Sequence, residues 1–290
     1  MIKSKIVLLA GALWVVILAA SPLALATDIV LTTTGASGSD GAILYKQIGP
    51  QPTGSGVIDS FVRSNGNPDT VMEAYNTTAN NVFQNGSTNT FNHALALSGV
   101  PTVSLSGTQY YEFNLDINQT GSSPLLSVQD IQVFLTSQGN QNTENKSATG
   151  QLQLANSSLV YRLDGDGSAG QNDTITLDFS LNSGSGSGDM AMLVPKSLFD
   201  AILAVNQTFT SLVLYTKWGG SSPLYANNDG YEEWFICQNA AGAPQACTPG
   251  TTNGTTGGTA SPQVPEPSSM LLLSAGLIYV TRLRKPRLQN

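Results

Sequence analysis

Charge is what this sequence has least of. Asp, Glu, Lys and Arg make up 11% of its 290 residues, about half the usual share. Basic residues are scarcer still: 12 Lys and Arg stand against 19 Asp and Glu, and they collect at the two ends. Lys3 and Lys5 lie near the start, and Arg282, Arg284, Lys285 and Arg287 near the end. Residues 27–263 keep 6 basic and 18 acidic side chains, a net charge of −12. Such a body repels phosphate backbones, which argues against nucleic acid as a partner, whereas it tolerates a cation. Histidine occurs once, as His93, and cysteine twice, too few for a zinc site of the usual ligand count. A Ser-His-Asp hydrolase would depend on His93, but the chain has no Gly-x-Ser-x-Gly elbow to present the serine. Catalytic residues are therefore assigned to none of its positions. Long helical patterns alternating with strands are missing too, which argues against a dinucleotide-binding sheet.

What fills the space is Ser, Thr, Asn, Gln and Gly, punctuating short runs of β-branched and aromatic residues. "DIVLTTT", "AILYKQI", "VIDSFVR", "TVSLSG", "YYEFNLDI", "VQDIQVFLT", "LQLANSSLVYRL", "DTITLDFSL", "MAMLVP", "TSLVLYTKW" and "YEEWFIC" all read as strands. In "TITLDFSL" the alternation puts Ile175, Leu177, Phe179 and Leu181 on one face. One short helix is expected at 196–205, opening after Pro195. Hairpin spacing of about ten strands over 27–247 predicts one all-β domain, an antiparallel β-sandwich of jelly-roll type.

The two ends carry apolar runs. At 1–26, two lysines, the run Ile6–Ala20 and the small residues of Ala24-Leu25-Ala26 form the three parts of an export signal, with cleavage expected after Ala26. An uncleaved anchor is the alternative. Export places Cys237 and Cys247 in an oxidising compartment, and the turn-rich "CQNAAGAPQAC" lets them meet, so a disulfide is expected. After the domain, 248–263 is a Gly/Thr-rich linker. Val264-Pro265-Glu266-Pro267 follows, held extended because each proline ring fixes its own φ and restricts the residue before it. The apolar segment 268–280 reaches about 20 Å as a helix, short of a hydrocarbon core of about 30 Å. The basic cluster Arg282, Arg284, Lys285 and Arg287 then reads as a stop-transfer end kept cytoplasmic.

Residues 264–290 resemble the PEP-CTERM sorting signal of Gram-negative envelope bacteria, with motif, apolar segment and basic tail in that order. The resemblance implies processing by an exosortase near Pro-Glu-Pro, after signal peptidase has acted at the other end. It implies membrane contact through the tail before processing, and a setting in exopolysaccharide production. The product is expected at the cell envelope or outer surface, or secreted. Segments of the body, "YYEFNLDINQTGSSPLLSVQDIQVFL", "NSGSGSGDMAMLVP" and "NNDGYEEW", resemble extracellular domains of unassigned function that carry this tail. That second resemblance implies a shared fold and supplies no activity.

Three features of the body bear chemistry. Asp164, Asp166 and Asp173, in "LDGDGSAGQNDT", offer alternating oxygen ligands for calcium, although the glycine and glutamate positions depart from the EF-hand pattern. Asp189 and Glu232, in two other loops, are further candidate calcium ligands; Glu233 adjoins Glu232 and in a strand points the opposite way. For both groups, plain solvated or turn-forming acidic loops compete with a metal. Trp218, Tyr225, Tyr231 and Trp234 offer rings that can stack on sugars, although such residues are more often core or hairpin pairs. The expected role is a structural or binding one in the matrix, with polysaccharide as a partner. A carboxylate-dependent glycosidase is the alternative, and would need two facing carboxyls across a cleft.

Overall fold

A computed structural model of the chain describes residues 28–49, 58–64, 71–85, 90–163, 173–184, 186–220, 224–239 and 241–247. The export signal, the linker and the whole sorting tail lie outside the described residues, as do Asp164 and Asp166. Among the described residues no helix is long and apolar enough to cross a membrane.

The chain is mostly β. Its strands are β1 (Asp28–Leu31), β2 (Ser37–Asp40), β3 (Ile43–Gln47), β4 (Ile58–Ser64), β5 (Val71–Tyr75), β6 (Leu95–Ala96) and β7 (Thr102–Leu105). There follow β8 (Thr108–Asp116), β9 (Leu125–Thr136), β10 (Ser157–Arg162), β11 (Thr174–Asp178), β12 (Met190–Pro195), β13 (Ser211–Gly219) and β14 (Glu232–Cys237). Among the described residues the single α-helix, α1, spans Lys196–Leu203 directly after β12, where the sequence pattern places it. One sheet runs β1-β11-β9-β13-β5, with β10 also on β9 and β6 on β13. The other runs β2-β3-β12-β8-β14-β4, with β7 also on β8.

Alternation decides which residues face inward. In β8, Phe113 and Leu115 enter the common core; in β12, Met190, Met192 and Val194 do; in β9, Leu126, Val128, Ile131, Val133 and Leu135 do. Both sheets contribute to this one cluster, with Trp218 and Trp234 fully buried in it. Phe199 of α1 seals one side, its ring edge-on to Tyr111 at 4.8 Å between centroids. At one margin the two sheets come close, because β2 carries a glycine: a Cβ on Gly38 would stand 2.7 Å from Ile29 of β1. The β7–β8 hairpin turns on Ser106 and Gly107, both at positive φ as a two-residue primed turn requires.

Three details depart from the sequence reading. The strands are not all antiparallel: β1 runs parallel to β11, from Asp28 opposite Thr174 to Leu31 opposite Leu177. A strand so far from its partner in sequence arrives by a long connection, which leaves its direction free of hairpin constraint. Phe179 and Leu181 do not continue the alternation of β11 but form one 3-10 turn, capped by the Asp178 carboxylate on the Ser180 N–H. The first half of "LQLANSSLVYRL" is loop, and only its second half forms β10.

Candidate functional site

β8 runs antiparallel to both β12 and β14, so its C-terminal end meets the start of each. That places Asp116, the last residue of β8, near Asp189, just before β12, and Glu232, the first residue of β14. All three side chains are buried, at 1%, 3% and 0% exposure. The three body segments singled out by resemblance supply this cluster, one carboxylate each.

Each carboxylate is met by N–H groups from neighbouring loops. Asp116 Oδ2 accepts from Gly186 N at 2.7 Å, and its Oδ1 accepts from Ser187 N and Gly188 N, both at 3.1 Å. Gly184, Gly186 and Gly188 all have positive φ, which lets successive N–H groups point to one side and cradle an anion. The "SGSGSG" loop is thus a nest filled by a carboxylate of its own chain. Asp189 Oδ2 accepts from Ile117 N at 2.8 Å. Glu232 Oε2 accepts from Asn118 N at 2.9 Å, and its Oε1 from Gln119 Nε2 at 2.8 Å. Asn228, in the loop before β14, accepts from Thr120 N at 2.7 Å and donates to Ser123 O at 2.8 Å.

Burial sets the protonation of the cluster. It pushes the Asp116 carboxyl up to about 6, against the lowering effect of three N–H donors. It pushes Asp189 up to about 8, with the Asp116 and Asp178 charges adding to the rise. Glu232 is raised well above its ordinary value, again by burial first. Burial thus favours the uncharged form of Asp189 and Glu232, which relieves the repulsion among three crowded carboxyls. Asp189 Oδ1 and Gln119 Oε1 are buried with no hydrogen-bond partner.

Of the expected calcium ligands, Asp173, Asp189 and Glu232 are among the described residues. Asp173 sits within electrostatic reach of Asp40 and Tyr45, at the start of β11. Asp178, at the other end of that strand, is one of the two acids whose charge Asp189 senses. The strand rise puts the two ends about 17 Å apart, so Asp173 shares no cation with Asp189 or Glu232. Among the described residues no three Asp, Glu, His or Cys side chains converge to hold a metal ion. At Asp189 and Glu232 three of the four carboxyl oxygens accept N–H donors.

Glu233 points away from Glu232, as strand geometry requires: it accepts from Ser60 Oγ at 3.0 Å and pairs with Arg63 at 3.6 Å. Of the aromatic group, Trp218 and Trp234 are core, Tyr225 is half-buried, and Tyr231 is 42% exposed. Arg63 lies between the rings of Phe91 and Tyr231, 3.8 and 4.4 Å from their centroids. Cys237 and Cys247 form the expected disulfide, with Cα atoms 5.2 Å apart. Cys247 N donates to Glu112 on β8 at 2.9 Å, so the bridge fastens the chain against the outer face of a central strand.

Asp116 is the member of this cluster that the sequence reading passed over. Its signal was indirect: a loop of alternating glycines with no lysine and no helix after it, which needs an anion from elsewhere. Comparison of the chain with protein families, with curated proteins and with solved structures finds no match.

Proposed function

We propose that this is an exported envelope or extracellular-matrix protein, sorted through its tail by an exosortase. Its jelly-roll-like domain then has a structural or binding role beside exopolysaccharide rather than an enzymatic one. The observation that carries this reading is the order Val264–Pro267, apolar segment 268–280 and Arg282, Arg284, Lys285, Arg287. The disulfide agrees with folding outside the cytoplasm. A domain whose loops are knitted together by their own buried carboxylates suits a durable matrix component. Polysaccharide is the partner class that fits a surface poor in charge and carrying exposed aromatic rings at Phe91 and Tyr231. The competing glycosidase would need two carboxyls facing a sugar across about 5–9 Å. Asp116, Asp189 and Glu232 instead lie under loops and hold N–H groups.

The test is fractionation of two variants, Glu266→Ala and a deletion of 282–290, in the cell that makes the protein. Each should accumulate as a membrane-retained precursor, larger than the wild-type product. If both reach the surface or medium at the normal size, the sorting reading is wrong.

A further inference from the structure

His93 is the one histidine of the chain, and it sits in a segment laid along the free edge of β4. Asn92 stands in there for a neighbouring strand. Its Oδ1 accepts from Arg63 N at 3.0 Å, and its Nδ2 donates to Arg63 O at 2.7 Å. His93 N donates to Phe61 O at 3.3 Å, and Phe91 covers the Arg63 guanidinium. Residues 91–93 therefore satisfy backbone groups that an uncovered edge strand would leave open.

Both ring nitrogens of His93 face acceptors. Nε2 lies 3.0 Å from Asp59 Oδ1, and Nδ1 lies 3.0 Å from the Ala94 carbonyl oxygen. A neutral imidazole carries one N–H and one lone pair, so it must turn a lone pair toward one of these oxygens. Only the imidazolium donates to both. We propose that His93 is a proton-operated clasp, closing segment 91–93 over the edge of β4 when charged and releasing it when neutral.

The groups around the ring are consistent with this. Asp59 of β4 is the charged group that faces it, with the Ala94 carbonyl and the Ser60 backbone as further neighbours. Arg63 on the same strand is turned to Phe91, Tyr231 and Glu233. The hydrogen bond to Asp59 raises His93 above its ordinary value of 6.5, and partial burial opposes this less strongly. A raised histidine stabilises the closed form fully below 6.5, and that stabilisation is lost as pH rises through the higher folded value. Release opens the edge of β4 and takes Phe91 off Arg63, dismantling an exposed aromatic patch.

Because the chain has a single histidine, the whole protein, purified without a polyhistidine tag and labelled with 13C at histidine Cε1, gives one imidazole signal. Its titration midpoint is expected above 6.5. Amide exchange at Arg63 and His93 should step up through that midpoint by about tenfold beyond the intrinsic pH dependence. His93→Gln keeps a donor for Asp59 but gains no charge, so its exchange should lack the step. A midpoint at or below 6.5, no step in the wild type, or a step that persists in His93→Gln would overturn the clasp. The wild-type titration decides even if the variant does not fold. Failure of the sorting variants would not touch it.

Discussion

Asp189 holds one oxygen on the Ile117 N–H and buries the other without a partner. Its carboxyl is pushed up to about 8, so the folded state keeps a proton that the unfolded chain releases near 4. A folded value raised in this way contributes stability that is whole below about 4 and gone once pH passes about 8. Asp40, Asp116, Asp130, Glu232 and Glu233 are all raised as well, burial being the first cause in each. The melting temperature is therefore expected to fall as pH rises from 4 to 9. Asp189→Asn supplies a neutral side chain at every pH, so it should melt several degrees above the wild type at pH 9 and within a degree or two of it at pH 5. Thermal scans across that range check this, and a wild type that gains stability toward pH 9 would contradict it. At this scale the sequence was readable where one local rule sufficed: Glu232 and Glu233 do point to opposite faces. It was not readable where two distant segments had to be joined. The nest around Asp116 links residues 70 and more apart, and nothing in "YYEFNLDI" marks its last acid as the anion of a glycine loop.

Elements were legible in proportion to their alternation. β8, β9, β12, β13 and β14 follow their apolar patterns, and α1 begins where Pro195 ends β12. β2 was missed because "SGSD" has no apolar residue to alternate; it is a strand since Ile29 packs on Gly38 and β3 pairs with it. β5 was missed because Glu73 interrupts its run, although that carboxylate is on the outer face with Lys146. The parallel pairing of β1 with β11 was beyond a sequence that displays only local spacing. The disulfide was legible, because compartment and a ten-residue separation both favoured it. Its loop is short, so replacing Cys237 and Cys247 by Ser together should cost about 2–3 kcal/mol. Urea unfolding measures this. A loss below about 0.5 kcal/mol would mean that contacts such as Cys247 N to Glu112 hold the segment without the bridge.

Across the whole molecule, the folded domain and the two ends of the chain are built from different kinds of residue. The folded domain occupies the middle of the chain: two sheets, a main core to which both contribute, a smaller cluster around Tyr75, Phe134 and Tyr215, and buried carboxyls at Asp116, Asp189 and Glu232 held by N–H groups. The two ends carry the proposed export and sorting signals. The mostly-β class was readable because apolar periodicity and turn residues are distributed over the entire body. The function of the candidate site was not, because its carboxylates gather only after β8, β12 and β14 come side by side. The central claim is that this domain is exported and then cut from its tail. Intact-mass measurement of the protein recovered from its producing cells, with and without reduction, tests it most directly. The account predicts a chain that starts at Thr27, ends near Val264–Pro267, and gains two hydrogens on reduction. A product that still carries residues 268–290, or that begins at Met1, would contradict it.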